Sequence, residues 1–233
     1  MSALDDLLHY LFEGSKPSFY PEFEAWVRES RRYRAFVTTY RSKIRAKLTH
    51  VSGDNGLSDL RAELETAMLL LREEHFTLDY EHYAALKQRG PDFTVTFKTH
   101  TPFNVEVRRI RKVEADEDEA EARIGKLIAV LCDKIKQMPP SIVNILWLIA
   151  DRDVTDADLA GATLMLRQLA ERKTEEFFTR RGFESASAFF KQYRHLSGIV
   201  LRQTGSMVIW LNPLARHLVP PKIAAALRRL DQG

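Results

Sequence analysis

Between Leu71 and Phe76 the hydrophobic period of the chain changes from that of a helix to that of a strand, and it returns to a helical period near residue 114. Upstream of the change, Leu60, Leu64, Ala67, Met68 and Leu71 form one apolar stripe at helical spacing. Downstream, the apolar residues of Phe76–Tyr80 alternate with Thr77 and Asp79. Phe93-Thr-Val-Thr-Phe97 and Asn104-Val-Glu-Val-Arg108 repeat that alternation, and the Lys98 to Pro102 turn between them predicts a β-hairpin. The acidic run Glu114 to Glu121 then opens a helix reaching Gln137, with Asp116 and Glu119 spaced as a capping pair. Acids at that end complement the helix dipole, so a solvated helix start is a better reading of the run than a metal site. Pro139-Pro140 stops the helix, and Ile142 to Ala150 is the most apolar strand of the chain. The expected order over residues 58–150 is therefore α-β-β-β-α-β. That order predicts an α/β protein with a mixed sheet and helices on its faces.

The flanks read as helical. Residues 3–13 suggest a short helix ended by Gly14 and the Pro17 to Pro21 turn, and a second helical region runs, perhaps with breaks, from Pro21 to about Leu48. Ser52-Gly-Asp-Asn-Gly56 reads as a loop, with the next helix starting near Ser58. After residue 150, Thr155 with Asp158 caps a helix reaching about Lys173, and shorter helical pieces follow near 174–180 and 184–194. A hairpin of Gly198 to Arg202 and Met207 to Leu211 turns around Thr204-Gly205, and a last helix runs from Pro221 to Leu230. The chain thus divides into an N-terminal helical extension (1–57), a core (58–150) and C-terminal helices with a β-hairpin (151–233), expected to pack as one globular unit. A hydrophobic content of 45% with 29% charged residues is that of an ordinary globular protein. The longest apolar stretch, Ile142 to Ala150, is interrupted by Asn144 and is half of what a membrane span needs. The opening Met-Ser-Ala-Leu-Asp-Asp carries acids where an export signal carries bases, and Cys132 is the only cysteine. A cytoplasmic location without membrane partners is the expectation.

A net charge of +3 is too small to name a partner, but its distribution says more. Arg28, Arg31, Arg32, Arg34, Arg41, Lys43, Arg45 and Lys47 face Glu29 alone, while Tyr33, Phe36, Tyr40 and Ile44 recur at helical spacing. The segment reads as an amphipathic helix whose basic face either follows a phosphate backbone or is simply solvated. Arg108-Arg109-Ile110-Arg111-Lys112 is a second basic run, suited to a nucleic-acid backbone or to blocking edge pairing.

Chemistry concentrates in Asn104-Val-Glu-Val-Arg108. Alternation sends Val105 and Val107 to one face and Asn104, Glu106 and Arg108 to the other. Asp92 begins the preceding strand directly after Gly90-Pro91, beside its hairpin partner. Two carboxylates on adjacent strands provide hard oxygen ligands for Mg²⁺, which keeps several waters and bridges to phosphate. The seven histidines show no zinc-like spacing, and there is neither a glycine-rich phosphate loop nor a Gly-X-Ser-X-Gly elbow.

The acidic helix with Glu63, Gly90-Pro91-Asp92-Phe93 on one strand and Glu106-Val107-Arg108 on the next resemble the PD-(D/E)XK, or restriction endonuclease-like, nuclease superfamily. The resemblance covers about residues 58–150. It implies that Asp92 and Glu106 are metal ligands for Mg²⁺ or Mn²⁺, that Glu63 is a supporting acid, and that the activity is hydrolysis of phosphodiester bonds in nucleic acid, chiefly DNA. Glu65 competes with Glu63, but on a helical wheel Glu63 lies beside the buried stripe and Glu65 points outward. The departure is Arg108, where the superfamily has lysine. Arginine can hold a phosphate but effectively cannot give up a proton. Lys134 of the following helix or Lys98 across the hairpin could replace the motif lysine, whereas Lys126 falls on the opposite helical face. The alternatives are a degenerate site on a nucleic-acid- or protein-binding module, or an interaction protein with structural carboxylates. Cutting both strands in concert would call for a homodimer.

Overall fold

The computed structural model describes residues 2–51, 53–85, 88–111, 119–150 and 154–231. The fold is α/β, built on one six-stranded mixed sheet whose strands lie side by side in chain order: β1 (Phe76–Tyr80), β2 (Phe93–Phe97), β3 (Thr101–Ile110), β4 (Asn144–Ala150), β5 (Gly198–Gln203) and β6 (Ser206–Leu211). β1, β2 and β3 form an antiparallel meander. β3, β4 and β5 run parallel, and β6 returns antiparallel. The parallel steps are bridged by helices: α7 (Glu119–Ile135) joins β3 to β4, while α8 (Asp156–Glu171), α9 (Glu175–Thr179) and α10 (Ala186–Tyr193) join β4 to β5.

β4 shows why its sequence is continuously apolar rather than alternating. Ile145 and Trp147 pack into the core on one face, whereas Leu146, Leu148 and Ala150 pack into the core on the other. A central parallel strand covered on both sides has no solvent face to mark with polar residues. The first layer contains α1 (Ala3–Phe12), α2 (Tyr20–Glu29), α3 (Arg31–Thr39), α4 (Arg41–His50), α5 (Gly53–Leu70) and α11 (Pro221–Arg229). The second contains α7 to α10. Because Leu8, Phe23, Tyr33 and Ile44 share one buried cluster with Phe93 and Val105, the N-terminal helices are part of the core of this face.

The expected strands 76–80 and 93–97 appear with those boundaries. Other expectations need correction. The helical region from Pro21 is broken into three helices, first at Ser30, which is extended and accepts a hydrogen bond from the Tyr33 N–H (3.1 Å), and again at Tyr40. Helix α5 starts at Gly53, so most of the expected 52–56 loop is helical. The β2–β3 turn is shorter than Lys98 to Pro102, because β3 already begins at Thr101. A single helical turn, α6 (His82–Ala85), precedes β2. Asp116, and with it the Asp116–Glu119 capping pair, lies outside the described residues, as does Lys112.

The basic segment 28–47 is also not one outer face. Arg32 donates to the carbonyl oxygens of Leu71 (2.5 Å) and Glu73 (2.7 Å) and to that of Phe76, tying α3 to the end of α5 and the start of β1. Arg34 donates to Val27 O, Lys43 to Tyr80 O, and Arg45 pairs with Glu13. These cations serve α5, β1 and neighbouring turns, leaving few for a phosphate backbone or for solvent alone.

Candidate active site

The site forms where β2 enters the sheet. Gly90 packs so closely against Tyr83 that a Cβ there would lie 2.3 Å from a ring carbon, so only glycine fits the approach. Tyr83 is itself fixed by Asn104, whose side-chain amide donates to its hydroxyl (3.1 Å). Pro91 then leads into Asp92, one residue before the Phe93–Val105 pair, which sets Asp92 level with Glu106 on the neighbouring strand. The Asp92 backbone carbonyl accepts from Glu81 N–H (2.8 Å), and its Oδ2 accepts from Val107 N–H (2.7 Å).

Three further side chains converge on this carboxylate from different layers. Glu106 is 5% exposed, and its Oε1 accepts from Lys134 Nζ on α7 at 2.5 Å. Glu63 on α5 accepts through Oε2 from both the Tyr80 hydroxyl (2.7 Å) and Lys47 Nζ (2.6 Å). Lys47 also reaches Glu81 Oε1 at 2.8 Å and stands 4.8 Å from the centre of the Tyr80 ring. A cleft of about 330 Å³ opens over Asp92 and is lined by Glu81, Gln88, Arg89, Gly90, Pro91 and Gln137.

The electrostatics record this crowding. Dense packing raises the Asp92 carboxyl well above its ordinary value, the charges of Glu63 and Glu106 raise it further, and the Val107 N–H and Lys47 oppose them. Burial also raises Glu106, with Glu63 adding to the rise and Lys134 pulling the other way. Burial first, and neighbouring carboxylates second, push both groups toward protonation, so a positive charge beside them would be favourable. Among the described residues, no group of three or more His, Cys, Asp or Glu is placed so that it could hold a metal ion. Asp92 and Glu106 stand level on adjacent strands, and the charge of Glu63 reaches both.

Of the residues picked out by sequence, Asp92, Glu106, Glu63 and Lys134 are brought together. Arg108 is partly exposed and has the strand parity of Glu106, and its side chain makes no hydrogen bond or ion pair with a described residue. An Asp92–Arg108 salt bridge is absent among them. Lys98 is excluded from the site. It lies beside the Phe97 ring at the opposite end of β2, roughly 20 Å from Asp92 at about 3.4 Å per strand residue. Lys126 donates instead to the Arg111 carbonyl. Glu65 does not point outward as the wheel suggests. It is buried and paired with Arg202 of β5, so α5 presents two acids to two different parts of the sheet. Arg109 and Arg111 pair with Asp59 at 3.0 and 3.1 Å, which uses the basic strand end internally.

Lys47, Tyr80 and Glu81 belong to the same constellation but carry no sequence signal of their own. Lys47 looks like one base among eight on a helix, and only the docking of α4 beside α5 selects Glu63 as its partner. Comparison with known protein families, with curated proteins and with solved structures finds no match.

Proposed function

We propose that the protein is a metal-dependent nuclease of the PD-(D/E)XK type, hydrolysing phosphodiester bonds in DNA at the cleft over Asp92. The observation that carries this reading is the Lys134 ammonium 2.5 Å from Glu106. A lysine from the crossover helix thereby stands beside the strand carboxylate, where the motif lysine is missing and Arg108 takes its position in sequence. The α-β-β-β-α-β order from α5 to β4 supports the same reading, although α6 interrupts it.

The donor set suits Mg²⁺ or Mn²⁺. Asp92 and Glu106 offer hard oxygens whose mutual repulsion a dication relieves, and such ions use one or two carboxylates and fill the remaining positions with water. When bound, the ion supplies Lewis-acid stabilisation and a more acidic water. The chain's own residues do the rest. Val107 N–H fixes the Asp92 carboxylate, while Tyr80 and Lys47 hold Glu63 behind it. Lys134 orients the attacking water against the phosphorus and meets the charge that develops there. Arg108 binds a non-bridging phosphate oxygen through its guanidinium, a role that needs no proton transfer.

The experiment is cleavage of supercoiled, linear and single-stranded DNA with Mg²⁺ or Mn²⁺, compared with chelator and with Asp92→Ala and Glu106→Ala. Cleavage that needs the metal and is lost in both variants is the expected result, and activity unchanged in both would sink the assignment. Arg108 favours one second reading, a degenerate site retained for binding nucleic acid or protein. Under that reading the parent does not cut and Arg108→Lys gains activity. Under the first, Arg108→Lys gains nothing, because Lys134 already fills the role.

A further inference from the structure

A second cleft lies on the opposite flank of the sheet and takes no part in the chemistry proposed above. Register aligns Glu106 with Leu146, Leu146 with Ile199 and Ile199 with Trp210. Trp210 on β6 is therefore three strands from Glu106, roughly 14 Å at about 4.8 Å per strand. The cleft holds about 280 Å³ between α8 and β6, and its walls are largely apolar, including Ala160, Leu164, Trp210 and Leu214.

One donor in this lining is buried without an acceptor, and a second lies beside it in the same cleft. The Nε of Arg167 is a buried nitrogen with no hydrogen-bond partner; its ion-pair neighbour Glu171 stands 3.6 Å away, too far for a hydrogen bond. Tyr193 lines the same cleft with its ring buried, and its hydroxyl is not sealed from solvent. Burial raises the Tyr193 hydroxyl above its ordinary value, which keeps it a proton donor, and the opposing pull of Arg167 shows that the cation lies within electrostatic reach. Asn212 and Thr163, the other polar residues of the lining, are satisfied internally. Guanidinium Nε–H and phenol O–H are both donors, and the buried Arg167 Nε–H is costly without an acceptor. The missing component is thus an acceptor, and the neighbouring cation favours a negatively charged one.

We propose that this cleft is a binding site for a small organic oxyanion with a flat apolar body. Its carboxylate or phosphate would take the Arg167 Nε–H and the Tyr193 hydroxyl while its body lies against the Trp210 indole and Leu214. The volume admits a molecule of about one ring with a short side chain, somewhat below the usual range for drug-sized ligands. The site is independent of whether the protein cuts DNA.

The test is a titration of the full chain with phenylacetate and, separately, phenyl phosphate. Benzyl alcohol and benzylamine serve as uncharged and cationic matches, and the readout is the indole N–H resonance of Trp210, assigned with Trp210→Phe. The expected result is a saturable shift with one or both anions, weaker by tenfold or more in Arg167→Met and by several-fold in Tyr193→Phe. Should Arg167→Met fail to fold, Arg167→Lys keeps the charge but removes the Nε donor, and it too is expected to bind more weakly. The two anions separate a carboxylate site from a phosphate site within the same chemistry. Absence of a saturable shift with either anion, equal binding of benzyl alcohol, or undiminished binding by the arginine variants would overturn the proposal.

Discussion

Asp92 is held in a setting that favours its protonated form, and this has a consequence for stability. Its folded value lies well above the ordinary 3.8. As pH rises from about 3.8 toward that higher value, the folded chain holds a proton that the unfolded chain has released. Stability therefore falls across this window and stays at the lower level above it. Glu106, also raised, adds in the same direction. Asp92→Asn removes the charge and is expected to raise the melting temperature in metal-free buffer near pH 8 and to flatten its pH dependence. Mg²⁺ should raise the melting temperature of the parent but not of Asp92→Asn, since a ligand stabilises only what it binds. Melts from pH 4 to 9, with and without the ion, check both. A variant melting below the parent at every pH would show that the Val107 hydrogen bond outweighs the charge repulsion. Lys47 behaves oppositely. Lys47→Met leaves Glu63 and Glu81 without their shared cation, and urea denaturation should show a loss of about 1–2 kcal/mol. That is below the 3–5 kcal/mol of a fully buried pair because Lys47 retains 27% exposure.

Among the elements, the β2–β3 hairpin was legible because period-2 alternation survives in a strand whose two faces meet different surroundings. Phe93, Val95 and Phe97 enter the core, while Thr94 and Thr96 remain partly exposed. The start of α5 was not legible. Gly53, Asn55 and Gly56 are turn residues by propensity, yet the helix runs through them, and Asp59 and Asn55 receive Arg109 from β3. Tertiary contacts of this kind override local preference. Helix α6 is a single turn with no period to read, but it positions Tyr83 against Gly90. Gly90→Ala would drive a methyl group into that ring. The expected outcome is a destabilisation of about 1–3 kcal/mol by overpacking, with loss of activity at temperatures where the fold persists. Calorimetry and a cleavage assay on the same sample check it. A stable and fully active Gly90→Ala would mean that this turn does not position Asp92.

At the scale of the whole molecule, the candidate site draws on both layers. Lys47 and Glu63 come from the helices on one face, Lys134 comes from α7 on the other, and the two carboxylates sit on the sheet between them. Sequence order showed the carboxylates and their strands, since neighbouring strands in a meander bring Asp92 beside Glu106. It left two lysines open, because the choice between Lys134 and Lys98 depends on how α7 crosses β3 and on which end of the hairpin carries the site. Likewise, a 3.6-residue period separated the buried stripe of α5 from its other faces but did not reveal that Arg202 would draw Glu65 inward.

Lys134 is proposed to supply the cation that the motif lacks. This role is tested most directly by single-turnover cleavage of DNA in saturating Mg²⁺, comparing the parent with Lys134→Met while melting curves confirm that both are folded. The expected result is metal-dependent cleavage by the parent and a loss of about 100-fold or more in the variant. Equal rates in the two folded proteins, or a parent that leaves DNA intact with both Mg²⁺ and Mn²⁺, would contradict it.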